Sequence, residues 1–428
     1  MSAPHDWEKG RLGEQCSIEI GGTPSRTVQD YWDNAKETVN TWVSIRDLNR
    51  RVITNTAEHI SDLGVKRSNV KLQLEGTVLL SFKLSIGRVA FAGLPLYTNE
   101  AIAGLRSDVI RHDFLYYGLQ QWDLLQGVDQ AIKGTTLNKA KLKNIEFTFP
   151  SFKPEQAKIA EVLSTVDRAI EQTEALIAKH RRIKAGLMQD LLTRGIDEHG
   201  NLRNERTHAF KDSPLGRIPV EWEIVTLNHC VRSDSPICYG ILMPGTGYDN
   251  GIPVIKVKDV FGGRILQDNL LLTDPKIDRQ YARSRLKTGD LLITIRGTTG
   301  RVALVPSQLD CANITQDTAR LRLKDQYSNT FFFFLLQAKV IQDQVVLHTL
   351  GQAVKEINIG EIRKISFALP GVKEQEEIAG RLGKIEETVG LDESKLGKLR
   401  KQKTALMQDL LTGNKRVTSL LKSEGDAS

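Results

Sequence analysis

The heptapeptide LMQDLLT occupies residues 187–193 and recurs unchanged at residues 406–412. The copies begin at Leu187 and Leu406, so they lie 219 residues apart, about half of the 428-residue chain. A long fixed period is the first pattern to establish in a sequence, because it determines the whole architecture. The chain is therefore predicted to consist of two related halves.

Each copy of the heptapeptide closes a long helical pattern. Two series of positions, one starting at Ile159 and one at Ile378, advance by alternately four and three residues and are mostly apolar. Each position of the first series corresponds to the position 219 residues later in the second. An apolar seam that continues over about five heptads predicts a coiled coil. The apolar seam positions are Ile159, Leu163, Val166, Ile170, Ile177, Leu187 and Leu191, followed by Ile378, Leu382, Ile385, Val389, Leu396, Leu399, Leu406 and Leu410.

Matched polar residues interrupt the two seams. Thr173 and Asp392 occupy the fifth position, and Lys184 and Lys403 occupy the eighth. Polar residues at seam positions lower stability but fix the register of a coiled coil. The two helices are therefore predicted to pair with each other as an antiparallel coiled coil. The alternative, two unrelated amphipathic helices in separate cores, leaves the matched polar positions as a coincidence.

The composition indicates an ordinary globular protein with a mild preference for polyanions. Hydrophobic residues make up 40% and charged residues 26% of the chain, which is typical of globular domains. The net charge of +7 favours a polyanionic partner without establishing one. The four cysteines lack CxxC spacing and indicate reduced thiols. With a polar N-terminus and no apolar run near the ~18 residues of a membrane span, we expect a cytoplasmic protein that does not enter a membrane.

Four blocks follow from the positions of prolines, glycines and the helical patterns. Residues 1–152 and 209–372 are predicted to be globular, and residues 153–208 and 373–428 to carry the long helices. Residues 76–89 align with residues 289–302 at an offset of 213, and both copies contain Gly-Arg-Val-Ala. β-rich runs predict a hairpin over residues 78–91, a second over residues 291–305 and a strand over residues 254–257, while residues 331–346 favour one helix. The predicted fold is α+β, with two α/β globular domains alternating with two long helices in a pseudo-twofold repeat.

The sequence contains no pattern typical of an active site. It lacks the NPPY and FxGxG motifs of methyltransferases, the GxxxxGK[ST] phosphate loop and the HExxH metal motif. His180 lies on the seam, where a packed histidine is favoured over a ligand or a base. We therefore predict no catalytic residue, no metal ligand and no cofactor.

The segment RGTTGR at residues 296–301 has features suited to nucleic acid. β-rich runs flank it, so it is predicted to be the loop of a hairpin and not a phosphate loop between a strand and a helix. Two arginines and two hydroxyls at such a tip suit contacts with phosphates or base edges, although a solvated surface loop remains an open alternative. The corresponding tip of the first block, residues 83–88, again has paired basic residues but lacks the RGTTG form.

Motifs along essentially the whole chain resemble those of specificity subunits of Type I restriction–modification systems. They are GGTP at 21–24, YW at 31–32, WVSI at 42–45, KDSPLGRIP at 211–219, GIPVI at 251–255, RGTTGRVA at 296–303 and both copies of LMQDLLT. The resemblance implies two target recognition domains, each reading one half of a bipartite, asymmetric DNA site. It also implies that the paired helices set the distance between these domains and dock methyltransferase subunits, which the restriction–translocase subunits then join.

We therefore expect a non-catalytic subunit whose partners are double-stranded DNA, two methyltransferase subunits and, through the complex, restriction subunits. The 32 residue steps from Ile159 to Leu191 span roughly 48 Å at ~1.5 Å per residue, or about 14 base pairs at ~3.4 Å each. The rival hypotheses are a protein–protein scaffold with two binding heads and a self-contained enzyme. The predicted DNA contacts are Arg46, Lys83, Ser85, Arg88 and Thr135 in the first block, and Lys256, Lys258, Arg296, Thr298, Thr299, Arg301 and Gln352 in the second.

Overall fold

Two long helices, Lys153–Thr193 and Val372–Leu410, end within the two copies of the repeated heptapeptide, the first at its last residue and the second at its fifth. They are seen in a computed structural model that describes residues 6–83, 85–125, 137–351 and 355–421. Backbone contacts divide the chain into two compact units: unit 1 is Met1–Glu174 with Ser394–Ser428, and unit 2 is Ala175–Glu393. Each unit thus contains a globular part and a portion of both long helices. The boundaries of the four blocks remain a prediction.

Unit 1 is built on two sheets and a terminal strand pair. The described residues form a five-stranded sheet in the order Ser17–Ile20, Ile102–Arg106, Val78–Ser81, Val89–Ala92 and Val52–Ile53. A four-stranded sheet has the order Glu58–His59, Thr41–Val43, Leu96–Thr98 and Leu72–Gln73, and Trp7–Arg11 pairs with Glu146–Pro150. The shorter helices are Leu12–Gln15, Asp62–Arg67, His112–Gln121, Lys139–Lys143 and Thr418–Leu421, with 3-10 turns at Gln29–Tyr31 and Ile45–Asp47.

Unit 2 is built on two smaller sheets and three strand pairs. Its four-stranded sheet, within the described residues, has the order Cys238–Tyr239, Thr318–Leu321, Leu291–Thr294 and Val302–Leu304. A three-stranded sheet has the order Leu271–Thr273, Ile252–Ile255 and Asn313–Ile314, and the strand pairs are Phe210–Ser213 with Gly216–Pro219, Glu223–Thr226 with Ser366–Leu369, and Val260–Phe261 with Arg264–Ile265. The shorter helices are Leu227–Cys230, Pro275–Gln280, Asn329–Gln337, Lys339–Leu347 and Ile359–Lys364, with 3-10 turns at Val257–Asp259, Ala282–Ser284 and Ser307–Leu309.

The strands Val78–Ser81 and Leu291–Thr294 occupy equivalent places in the cores of the two units. Alternate residues of a strand point to opposite faces of the sheet. In unit 1, Val78 and Leu80 pack in one hydrophobic cluster and Leu79 in another. In unit 2, Leu292 likewise lies in a different cluster from its neighbours on the same strand. Both strands are buried on both faces, so their first three residues are apolar, and each strand ends in a buried hydroxyl residue, Ser81 or Thr294.

Both predicted hairpins are confirmed. Val78–Ser81 pairs antiparallel with Val89–Ala92, and Leu291–Thr294 pairs antiparallel with Val302–Leu304. The strand predicted over residues 254–257 is too long, since the strand ends at Ile255. The carboxylate of Asp259 accepts a hydrogen bond from the backbone N–H of Lys256 at 2.9 Å, which favours a 3-10 turn over further pairing.

The single helix predicted over residues 331–346 is wrong. The chain forms two helices, Asn329–Gln337 and Lys339–Leu347, with a bend of 60° between them. Ala338 has extended backbone angles at the break. The side-chain amide of Gln342 donates to the carbonyl of Leu336 at 2.6 Å and to that of Gly300 at 3.0 Å, so it satisfies a carbonyl that the break leaves without a helical partner.

Every seam position is buried or half-buried. In unit 1, Ile159 and Leu163 of the first long helix share a hydrophobic core with Leu410 of the second. In unit 2, Leu191 of the first helix shares a core with Ile378 of the second. Thus, within each unit, the beginning of one long helix and the end of the other contribute to the same core.

Among the described residues, no single helix has both the length and the apolar composition of a membrane span. The helices Asn329–Gln337 and Lys339–Leu347 meet those criteria only when they are taken together as a bent pair. All six residues from Phe331 to Leu336 are buried in the core of unit 2.

Candidate nucleic-acid interface

The loop at residues 296–301 in unit 2 is organised by one buried hydroxyl. Oγ1 of Thr294 donates to the carbonyl of Thr298 at 2.5 Å and accepts from the backbone N–H of Arg301 at 2.9 Å. Gly300 has a φ of +83°, a conformation that side chains disfavour. These contacts close the hairpin and leave Arg296 and Thr298 exposed at its tip.

Unit 1 builds its hairpin loop in the same way. Oγ of Ser81 donates to the carbonyl of Ser85 and accepts from the backbone N–H of Arg88 at 3.0 Å. Gly87 has a φ of +90°. Ser81 corresponds to Thr294 at the offset of 213 that aligns the two hairpins, so a hydroxyl residue performs this task in both units.

An arginine in each loop turns back onto the neighbouring 3-10 turn. The guanidinium of Arg301 donates to the carbonyl of Val260 at 3.1 Å and lies 5.6 Å from the ring centroid of Phe261. In unit 1, Nη1 of Arg88 donates to the carbonyl of Ile45 at 3.4 Å. These arginines were predicted to contact DNA, and the structure gives both of them backbone contacts that hold the loop against the turn.

The turn and the loop bring most of the predicted contact residues into one region of each unit. We call each region a reading edge. Unit 1 has Arg46, Lys83, Ser85 and Arg88 on its reading edge, and unit 2 has Lys256, Lys258, Arg296, Thr298, Thr299 and Arg301. Lys258 and Thr298 are exposed, whereas Lys256 and Thr299 are half-buried. The predicted contacts Thr135 and Gln352 lie outside the described residues.

Two of the exposed arginines already have acidic partners. Nη2 of Arg46 lies 2.7 Å from Oε2 of Glu58 in unit 1. Nε of Arg296 lies 3.3 Å from Oε2 of Glu356 in unit 2. Both arginine side chains are themselves exposed, and ion pairs at the surface contribute little to stability.

Sequence reasoning missed Arg26 in unit 1. Its guanidinium stacks 3.7 Å from the ring centroid of Trp32, and Nη2 donates to Glu58 at 3.3 Å. Glu58 is also the partner of Arg46, which places Arg26 beside the reading edge. The only signal in the sequence was its position between the GGTP and YW motifs, because neither the stacking nor the shared carboxylate is visible in the sequence.

The described part of the chain contains no group of three or more histidine, cysteine or acidic side chains that fits a metal ion. His180 makes a structural contact, since its Nδ1 lies 2.8 Å from Oδ2 of Asp392 on the other long helix within unit 2. The arrangement of the reading edges supports binding by side-chain hydrogen bonds and charge.

Similarity to known proteins identifies the family. The model of the Type I restriction modification DNA specificity domain matches residues 4–179 and 249–401, more than half of the chain. The chain belongs to this family. Within the Type I specificity family, it is 24% identical over 432 residues to the MjaVIII specificity subunit of Methanocaldococcus jannaschii, covering 98% of this chain and 95% of that protein. It is 26% identical over 298 residues to the EcoBI specificity subunit of Escherichia coli, covering 67% of this chain and 62% of that subunit.

Solved structures of Type I systems support the fold. The S subunit from M. genitalium superposes with a TM-score of 0.57 at 15% identity, covering 95% of this chain and 96% of that chain. A chain from a structural study of complex assembly and conformational transition in the type I R-M system gives a TM-score of 0.56 at 16% identity, covering 96% and 99% of the two chains. The resemblance seen in the sequence is confirmed, as is the mixed α/β fold with long helices.

Proposed function

We propose that this chain is the DNA-reading, non-catalytic subunit of a Type I restriction–modification complex. In this proposal each globular part reads one half of a bipartite, asymmetric site. The observation that carries it is the pair of reading edges, which share an internal framework but expose different side chains. A common framework with different surface residues suits two domains that recognise different base sequences.

Phosphates and bases are proposed to use different residues of the reading edge. Lys258 and Arg46 are long, exposed cations suited to phosphates, which provide affinity and salt dependence. Thr298, at the tip, is suited to base edges because a hydroxyl both donates and accepts hydrogen bonds. Arg301 and Arg88 position the loop through the backbone contacts described above.

The long helices are proposed to pair as an antiparallel coiled coil that serves as a ruler. Contacts inside each unit support this proposal, since the beginning of one helix and the end of the other share a core in both units. The first helix has 41 residues and extends about 60 Å at ~1.5 Å per residue. The same helices would form the docking platform for two methyltransferase subunits, with restriction subunits joining through the complex in the cytoplasm.

Methylation mapping provides the direct test of this function. The chain is co-expressed with its methyltransferase subunit, and methylated positions in the cellular DNA are determined by sequencing. We expect a single motif with two specific halves separated by a fixed number of unspecified bases. Absence of any sequence-dependent methylation or binding, with the partner subunits supplied, would favour the rival scaffold function.

A matched pair of variants assigns recognition to the reading edge of unit 2. Lys258→Gln removes an exposed positive charge from the 3-10 turn, and Lys364→Gln removes one from a lysine that pairs with Glu361 outside the reading edge. We expect Lys258→Gln to weaken DNA binding at fixed salt and to reduce the salt dependence by about one counterion. Equal effects of the two variants would contradict the assignment.

A further inference from the structure

We propose that a cavity in unit 2 binds the phosphate group of a small ligand, independently of DNA recognition. The cavity has a volume of about 560 Å³ and lies beside the strands Cys238–Tyr239 and Thr318–Leu321. Its size falls in the range of small-molecule sites. Six of its lining residues are basic: Arg283, Arg285, Lys287, Arg320, Arg322 and Arg363.

The central feature of the cavity is a buried arginine with spare hydrogen-bonding capacity. Arg320 is only 1% exposed. Its Nη1 donates to Oγ of Ser235 at 2.6 Å and its Nη2 to the carbonyl of Pro236 at 3.0 Å, while its buried Nε has no hydrogen-bond partner among the described residues. A buried charge without a counterion lowers stability. A bound anion would supply both the missing charge and an acceptor.

Two carboxylates beside the cavity each pair with one of its lining arginines. Asp278 pairs with Arg285, and Asp290 accepts two hydrogen bonds from Arg322 at 2.8 and 2.6 Å. Two carboxylates line the cavity itself, Asp234 and Asp310. Asp234 pairs with Arg232, which does not line the cavity, and Asp310 accepts a hydrogen bond from the backbone N–H of Thr288 at 2.8 Å.

Three arginines of the cavity thus lack an acidic partner. Within the described ranges, no carboxylate lies within ion-pair distance of Arg283, Arg320 or Arg363. Arg363 instead donates to the carbonyl of Ile237 at 3.2 Å, and Arg283 lies 5.6 Å from the ring centroid of Tyr239. The cavity therefore retains an excess of positive charge that suits a dianionic ligand.

Guanidinium groups are the side chains best adapted to phosphate, because their planar N–H groups donate to two oxygens at once. The position of the cavity separates it from the reading edge. Lys287 precedes the strand Leu291–Thr294, whereas the loop at residues 296–301 follows the same strand. The cavity and the loop thus lie towards opposite ends of this strand, which favours a separate small ligand over the bound DNA.

Calorimetric titration of the purified full-length chain tests the proposal, with inorganic phosphate and adenosine 5′-monophosphate as the probes. Binding of either probe supports a phosphate site, and comparison of the two shows whether the ligand is the free ion or a phosphate ester. We expect the Kd to rise at least tenfold in Arg320→Met and in Arg283→Gln. Arg279→Gln, which removes an exposed arginine outside the cavity, should leave the Kd unchanged.

Three results would overturn the proposal. The wild-type chain would bind neither probe, or the Arg283→Gln variant would bind as tightly as the Arg279→Gln control, or duplex DNA without the recognition sequence would displace the bound monophosphate. The last result would assign the cavity to the DNA-binding surface. Circular dichroism checks that each variant is folded. If Arg320→Met does not fold, the outcome is decided by the Arg283→Gln and Arg363→Gln variants, because both of these residues are exposed.

Discussion

Nζ of Lys403 lies 2.7 Å from Oδ1 of Asp167, on the other long helix, within unit 1. An equivalent contact occurs in unit 2, where Lys184 pairs with Glu386. Lys184 lies 219 residues before Lys403, and Glu386 lies 219 residues after Asp167. The repeat therefore preserves pairs of interacting residues as well as an apolar seam. Oδ2 of Asp167 also accepts a hydrogen bond from the hydroxyl of Tyr117 at 2.8 Å, which links the globular part of unit 1 to the helices.

Removing the lysine should destabilise unit 1. The side chains of Lys403 and Asp167 are only 21% and 11% exposed, so Lys403→Met leaves a mostly buried carboxylate without its cation. We expect a loss of about 2–3 kcal/mol in the free energy of unfolding, measured by urea denaturation. The control is Arg400→Gln, one turn away, whose ion pair with Glu174 at 2.7 Å is exposed and should cost at most about 0.5 kcal/mol. Equal losses would show that burial of the pair is unimportant.

Alanine should stabilise the second long helix where glycine faces open space. A Cβ built on Gly397 meets no atom of the described residues within 4 Å, whereas one on Gly390 meets Nη2 of Arg264 at 2.6 Å. Gly397→Ala should therefore raise the free energy of unfolding by roughly 1 kcal/mol. Gly390→Ala should gain less, because Arg264 must move. Thermal unfolding of the two variants tests this order, and a larger gain at Gly390 would contradict it.

The cysteines should differ sharply in reactivity. Burial raises the pKa of the Cys16 thiol to about 12 and that of the Cys230 thiol to about 11. A raised pKa reduces the thiolate fraction at pH 8, and the thiolate is the reactive form. Iodoacetamide at pH 8 should therefore modify the exposed Cys311 first, as measured by mass spectrometry, and reach Cys16 and Cys230 only in urea. Similar rates for all three in the folded chain would refute this prediction.

Arg301 should affect both the stability and the DNA binding of unit 2. Because its guanidinium donates to the carbonyl of Val260, Arg301→Met loosens the loop from the turn. We expect a lower melting temperature together with weaker DNA binding at fixed salt. Lys258→Gln provides the contrast, since an exposed side chain should change binding with little change in melting temperature. A normal melting temperature for Arg301→Met would mean that the backbone contact has no structural role.

The ruler proposal predicts a change in site spacing. Deleting one heptad from each long helix, residues 173–179 and 393–399, keeps the seam in phase and shortens both helices by about 10 Å at ~1.5 Å per residue. We expect the gap between the two half-sites to shorten by about three base pairs at ~3.4 Å each. Methylation mapping measures the gap. An unchanged gap in an assembled, active complex would rule out the ruler.

The sequence predicted the two long helices, both hairpins and the family, because each depends on a local pattern or on a repeat. The break at Ala338 was not predictable, because it depends on Gln342 reaching the carbonyls of Leu336 and Gly300. The inward orientation of Arg301 was missed for a similar reason. An arginine in a glycine-rich loop has the same sequence signal whether it faces solvent or a backbone carbonyl.

The 219-residue period by itself determined that the chain contains two related halves, each with a long amphipathic helix. Apolar spacing specifies which face of a helix is buried, so the seam positions of both long helices could be predicted from the sequence. Only the tertiary structure decided which charges are neutralised. Glu58 pairs with Arg46, Glu356 with Arg296 and Asp278 with Arg285, and no repeating sequence pattern links these residues. Ion pairing depends on distances of a few ångströms between side chains, and those distances are set when the core packs.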